Sequence, residues 1–186
     1  MTEGDWMEIY IALLRGINVS GHNKIKMAEL RSTLETLGLS QVQTYIQTGN
    51  VLFKSDESKE QLRLRIEDAI KTNFGISITV IVRTADELKK IIAKCPYVDI
   101  PLVKGESIHV SILAEAPPQK IVDRLANSES NNDEYHINGL EIYFLFRQSI
   151  LNSKLANNMQ SLGNIATTRN WNTINKVAAL AKAMQA

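Results

Sequence analysis

Val42-Gln43-Thr44-Tyr45-Ile46-Gln47-Thr48-Gly49-Asn50-Val51-Leu52-Phe53-Lys54 is the stretch on which the fold turns. Val42, Thr44 and Ile46 alternate with Gln43, Tyr45 and Gln47, the period of a half-buried strand. Thr48-Gly49 reads as a turn, and Val51 to Lys54 as the returning strand of a hairpin. Upstream, Trp6 to Leu14 is a nearly continuous apolar run whose length suits a strand buried on both faces. Met27, Leu30, Leu34 and Leu37 then recur at helical spacing, and Gly38 stops that helix. Downstream, Ser58 and Gln61 form a capping box, and Leu62, Ile66, Ala69 and Ile70 give the next helix its apolar stripe before Gly75. Ile78, Val80 and Val82 alternate as a fourth strand. The order β-α-β-β-α-β over residues 6–83 predicts an α+β protein with a ferredoxin-like first half.

The pattern then starts again. Thr84-Ala85-Asp86-Glu87 is a second capping box, opening a helix with Leu88, Ile91 and Ile92 that ends at Cys95-Pro96. Ile108, Val110 and Ile112 predict a strand, and Pro117-Pro118 suits the start of a helix carrying Val122 and Leu125. Ser128 to Asn132 is a polar loop. Asn138-Gly139 signals a hairpin joining Tyr135–Ile137 to Leu140–Phe146. Two helices close the chain, one with Leu151, Leu155, Met159 and Leu162 before Gly163, the other with Ile174, Val177, Ala178 and Ala181. The second half thus reads β-α-β-β-α-α, an incomplete echo of the first. The expected organisation is a ferredoxin-like subdomain over 1–83, a helix and linker over 84–106, and a second α+β subdomain with C-terminal helices over 107–186.

Bulk properties narrow the functional classes. The chain has 186 residues, 44% of them hydrophobic, enough for a sizeable core. Its 21 basic and 20 acidic residues almost cancel, which disfavours nucleic acid as a partner. One cysteine, Cys95, permits no intramolecular disulfide and fits a reducing cytoplasm. The acidic opening Thr2-Glu3-Gly4-Asp5 lacks an apolar signal core, and no apolar run is long enough for a membrane span.

Three polar strings stand out: Arg15-Gly16-Ile17-Asn18-Val19-Ser20-Gly21, Thr44 to Asn50, and Thr167-Thr168-Arg169-Asn170-Trp171-Asn172-Thr173. Each falls where a strand ends or a helix begins, where ligands are commonly held. In a ferredoxin-like sheet the first strand's exit and the hairpin joining strands two and three share one edge. Arg15, Asn18, Gln47 and Asn50 are therefore expected in one patch, beside the N-terminus of the first helix, with Lys24 and Lys26 adding positive charge. Such an edge suits a small phosphate or carboxylate ligand. Arg169, Asn170 and Trp171 are candidates for the same site, although nothing in the sequence places the third string there.

At these strings the chain resembles a bacterial domain family of unknown function, number 1697. The resemblance covers Leu13 to Val19 with Gly21, Met27 and Leu30-Arg31, Thr44 to Gln47 with Gly49-Asn50-Val51, and Thr168 to Trp171 with Thr173. Ser20 and Thr48 depart from the family's usual Gly and Ser. It implies an α+β fold of two related halves and assigns no activity.

Each candidate also has a plainer reading. Gly16-x4-Gly21 is followed by His22-Asn23 rather than the Lys-Ser/Thr of a nucleotide-binding P-loop. Asn18 and Asn50 fit turns that satisfy neighbouring backbone groups, and Arg15 could tie the loop to carbonyls. Trp171 fits a core position, and Thr168 or Asn170 a helix cap. Of the three histidines only His22 sits where acid–base chemistry is plausible; His109 and His136 fall on strands. Cys95 lacks a sequence partner for nucleophilic chemistry. No metal-ligand spacing and no cofactor motif is present, so no cofactor is expected. Tyr10 and Phe53, on the first and third strands, loosely resemble the base-stacking aromatics of the RNA-recognition motif, which makes single-stranded nucleic acid the alternative ligand. A dimer through a strand edge is a third reading.

Overall fold

The computed structural model describes residues 7–128 and 132–185. Trp6, the acidic opening Thr2–Asp5 and the centre of the Ser128–Asn132 loop lie outside the described residues.

The first unit follows the expected order: β1 (Glu8–Leu14), α1 (Met27–Thr36), β2 (Ser40–Tyr45), β3 (Asn50–Ser55), α2 (Lys59–Phe74) and β4 (Val80–Thr84), followed by α3 (Ala85–Ala93). Its sheet runs β2-β3-β1-β4, with every neighbour antiparallel. That is the ferredoxin-like arrangement. The local signals behave as their chemistry requires. Ser58 and Gln61 form both bonds of a capping box, and Gly75 caps α2 in the left-handed conformation. Thr84 and Glu87 form a second box at the start of α3. Leu30 and Leu34 of α1, with Leu62, Ile66 and Ile70 of α2, pack on one face of the sheet against Tyr10, Ala12, Leu14, Val51 and Phe53. Ile9, Ile11, Leu13, Leu52 and Ile81, on the opposite face, are buried too, as an apolar run without alternation demands.

Two details of this sheet differ from the sequence reading. Gln41 has φ 51° and the β2–β3 register shifts between Ser40 and Gln43, so β2 carries a bulge. Ile46 is not an inward residue of β2; it lies in the turn, 45% exposed.

The second unit repeats the plan: β5 (Ser107–Leu113), α4 (Gln119–Ala126), β6 (Glu134–Asn138), β7 (Glu141–Phe146), α5 (Lys154–Met159) and β8 (Ala166–Asn170); α6 (Trp171–Ala183) follows β8, and its residues from Lys176 onward group with the first unit. Its sheet order, β6-β7-β5-β8, matches the first strand for strand. Leu125, Leu155, Ala156 and Leu162 cover Leu113, Ile142, Phe144 and Phe146. The echo is therefore complete. The strand missing from the sequence reading is β8, whose Ala-Thr-Thr-Arg-Asn offers no apolar alternation. The hairpin turn is Gly139-Leu140, one residue later than Asn138-Gly139, because Asn138 pairs with Glu141. The expected helix from Leu151 is interrupted. Buried Ser153 caps α5 by accepting the Ala156 N–H, and Leu151, in a separate 3-10 turn, is 86% exposed.

By packing, the chain divides into Met1–Lys90 with Lys176–Ala186, and Ile91–Asn175. Among the described residues no helix is long and apolar enough to cross a membrane.

Candidate functional site

The site begins where β1 leaves its sheet. Leu14 N–H donates to Gly49 O at 2.9 Å, and Arg15 N–H to Thr79 O at 3.0 Å, so the chain exits between the hairpin turn and the start of β4. Residues 15–26 then form a loop rich in left-handed backbone: Gly16, Asn18, Ser20, Gly21 and Asn23 all have positive φ. Small and Asn residues accept that conformation at least cost. Ile17 and Ile25, 0% and 5% exposed, anchor the loop in the core.

Asn18 organises the loop. Its Oδ1 accepts the Ile25 N–H at 2.8 Å, while its Nδ2 donates to Ile25 O at 3.0 Å and to Gln47 O at 2.8 Å. One amide thus closes the glycine loop on itself and fastens it to the hairpin. Asn23 adds a bond from Nδ2 to Gly16 O. On the hairpin side, Asn50 is fully buried and its Nδ2 donates to Tyr45 O and Thr48 Oγ1. Gly49 has φ 91°, and a Cβ there would stand 2.8 Å from Leu14 Cβ and 2.9 Å from Ile17 Cδ1. Only glycine fits that approach.

The first two strings therefore meet, as the topology predicts, but the two asparagines direct their amides at backbone groups and the Thr48 hydroxyl of the loop and hairpin. What opens to solvent is a cleft of about 590 Å³. Lys24, Lys26 and Gln47 line it, with Asn18, Gly21, Ile25, Met27 and Glu29. Arg15, half-buried, and Asn50 do not line it. The side chains of Lys24, Lys26, Glu29 and Gln47 make no hydrogen bond or ion pair among the described residues. Lys26 occupies the N-cap position of α1 without a side-chain cap, and the first helical bond runs from Leu30 N–H to Lys26 O. The N–H groups of Met27, Ala28 and Glu29 are the uncapped donors of that helix end. Glu29 was not anticipated from the sequence. Its place in the first turn of the predicted helix is the signal that could have found it.

The third string lies in the second unit. Arg169 is 8% exposed; its Nη1 donates to Thr167 Oγ1 at 2.6 Å and to Thr168 O at 3.0 Å, and burial pulls its pKa down to about 10. Asn170 Oδ1 accepts the Thr173 N–H at 2.8 Å and so caps α6. Trp171 is half-buried, and its carbonyl accepts Asn175 Nδ2. Thr168 Oγ1 pairs with Ser111 Oγ at 2.6 Å.

The remaining reactive groups are set in apolar surroundings or at the surface. Cys95 is buried, and burial raises its thiol pKa. His109 stacks edge-on against Phe146 at 5.3 Å, and burial lowers its pKa. His22 and His136 are exposed. Among the described residues no group of three or more His, Cys, Asp or Glu is placed to hold a metal ion. Tyr10 and Phe53 do not form a base-stacking platform. They are 7% and 0% exposed, stack on each other at 5.9 Å and lie beneath α1 and α2. A base cannot reach rings on the helix-covered face, and this removes the feature on which the nucleic-acid reading stood.

The chain is similar to a solved structure, that of the conserved bacterial protein SP0830 from Streptococcus pneumoniae. The two share 26% sequence identity with a TM-score of 0.79, over 95% of this chain and 99% of that one. No match was found among curated proteins. The family described as "Protein of unknown function (DUF1697)" matches residues 7–143, and the chain belongs to that family.

Proposed function

We propose that this protein binds a small anionic molecule, a phosphate or a carboxylate, in the cleft between the 15–26 loop, the 46–49 turn and the first turn of α1. One observation carries the reading. At the equivalent edge of its sheet the second unit takes only residues 114–118 for the strand exit and 139–140 for the hairpin turn. The longer connections of the first unit exceed what the topology needs, and they shape a cleft holding two lysines whose side chains have no partner among the described residues. Lys24 and Lys26 supply charge, the uncapped N–H groups of α1 supply directed donors, and the Gln47 amide supplies a further donor. Glu29 accepts from a hydroxyl or amine on the ligand and keeps the negative group toward the lysines. Asn18 and Asn50 hold the loop backbones, and Arg15 lies at the same edge. The buried, single Cys95 suits a cytoplasmic setting.

The test is a thermal-shift screen against inorganic phosphate, nucleotides, sugar phosphates and carboxylates. A ligand at ~100 times its dissociation constant adds roughly 2.7 kcal/mol of stability. The Lys24→Ala/Lys26→Ala double variant should melt like the parent without ligand, because both side chains are exposed and make no hydrogen bond or ion pair among the described residues. It should show no shift with the ligand. Shifts that persist undiminished in the double variant would sink the reading.

A further inference from the structure

We infer that two copies of this chain form a dimer through β6, pairing β6 with β6 antiparallel about a two-fold axis at His136. The inference is independent of the anion cleft, because β6 belongs to the other unit. β6 ends its sheet, with β7 as its one strand neighbour among the described residues. It is also the only described strand that has no buried residue. Asn138 pairs with Glu141 across the Gly139-Leu140 turn, so that pair is hydrogen-bonded, and by alternation so are His136 with Tyr143 and Glu134 with Leu145. Tyr135 and Ile137 therefore turn their backbone N–H and C=O away from β7. Exposed edges are commonly blunted by a bulge, a proline or a lysine. β2, the corresponding strand of the first unit, has such a bulge at Gln41. β6 has none of these, and its register with β7 is unbroken.

The strand also fits itself. Centred on His136, the antiparallel register gives every residue of β6 a mate in the second copy. Tyr135 and Ile137 exchange backbone bonds with Ile137 and Tyr135 of that copy, so each outward donor meets an outward acceptor. Their half-buried side chains already pack against the core cluster, and the pairing makes them a cross-strand aromatic–aliphatic pair. Glu134 meets Asn138 of the second copy rather than another carboxylate. Neither side chain has a hydrogen-bond partner among the described residues, and the amide can donate to the carboxylate. Exposed His136 meets its own counterpart at the axis.

Cysteine trapping on the full chain reads this register. At the axis the two Cα atoms of residue 136 would stand about 4.5 Å apart, within disulfide reach. Those of residue 134 would stand roughly 14 Å apart, out of reach. Under mild oxidation His136→Cys should cross-link about tenfold faster or more than Glu134→Cys, a control on the same face that is also exposed. The parent, whose Cys95 is buried, should stay uncross-linked. In light scattering over a dilution series, His136→Lys sets two ammonium groups opposite each other and should weaken the dimer about threefold or more, with the circular dichroism unchanged. Selective trapping at 136 supports the pairing even where dilution shows it to be weak. A parent that is monomeric at every concentration, with neither variant cross-linking, overturns the inference. A dimer in which Glu134→Cys cross-links as fast as His136→Cys, or in which neither does, overturns it by placing the interface elsewhere.

Discussion

The two units close the same edge of the same sheet in different ways. In the first, Leu14 N–H donates to Gly49 O and Arg15 N–H to Thr79 O; in the second, Leu113 N–H donates to Leu140 O and Ala114 N–H to Ile165 O. The strand exits are equivalent bond for bond. Beyond them the units diverge. The first spends residues 15–26 before α1 and residues 46–49 in its hairpin, whereas the second needs only 114–118 and 139–140. The βαββαβ frame is therefore satisfied by short connections, and the elaboration in the first unit shapes a cleft instead. At the opposite edge the difference is reversed, with residues 37–39 and 56–58 in the first unit against 127–133 and 147–153 in the second, so each unit elaborates a different edge of the shared frame, as loops on a rigid scaffold can.

The sharpest way to break this comparison is at the two hairpin glycines. Gly49→Ala should cost roughly 3 kcal/mol, since the left-handed backbone and the contact with Leu14 and Ile17 both oppose a Cβ. Gly139→Ala, also at positive φ but with only Glu141 Oε2 at 4.0 Å, should cost about 1 kcal/mol. Equal losses in urea denaturation would mean that the first turn is no more constrained than the second. Next comes Asn18→Ala, which strips a partner from the N–H of buried Ile25 and unties the loop from Gln47. A loss of about 2 kcal/mol is expected. Asn138→Ala in the second hairpin, where the side chain has no hydrogen-bond partner among the described residues, should stay within about 0.5 kcal/mol.

The smallest effect concerns pH and belongs to the second unit. Burial lowers the pKa of His109 below its ordinary value of 6.5, so the unfolded chain binds more protons than the folded one between the two values. Stability should be whole above 6.5 and fall as pH drops through that window. His109→Phe, which keeps a ring against Phe146, should flatten the profile over about pH 5 to 8. An unchanged slope in that variant would assign the acid sensitivity to other groups.

Legibility followed the reach of each signal. Capping boxes at Ser58 and Thr84 and the helix stop at Gly75 act within a few residues, and the structure keeps all of them. The meeting of Asn18 with Gln47 was also readable, because it follows from topology. By contrast, β8 could not be read, since its place between α5 and α6 is set by pairing with β5 and not by its own composition. The break before α5 was hidden for a similar reason. Ser153 looks like any polar residue until Asp133 accepts its hydroxyl at 2.7 Å, 20 positions away.

By itself the sequence determined the α+β class, the ferredoxin-like first half and the edge at which its polar strings gather, because hydrophobic period and local capping encode elements and topology orders them. Only the tertiary structure decided that the second half completes the same plan. It also showed that Asn18 and Asn50 direct their amides at loop and hairpin groups, and that the side chains of Lys24, Lys26 and Gln47 are exposed and without partners among the described residues. Which partner a polar side chain takes depends on groups brought near it from distant positions, and no local pattern carries that information.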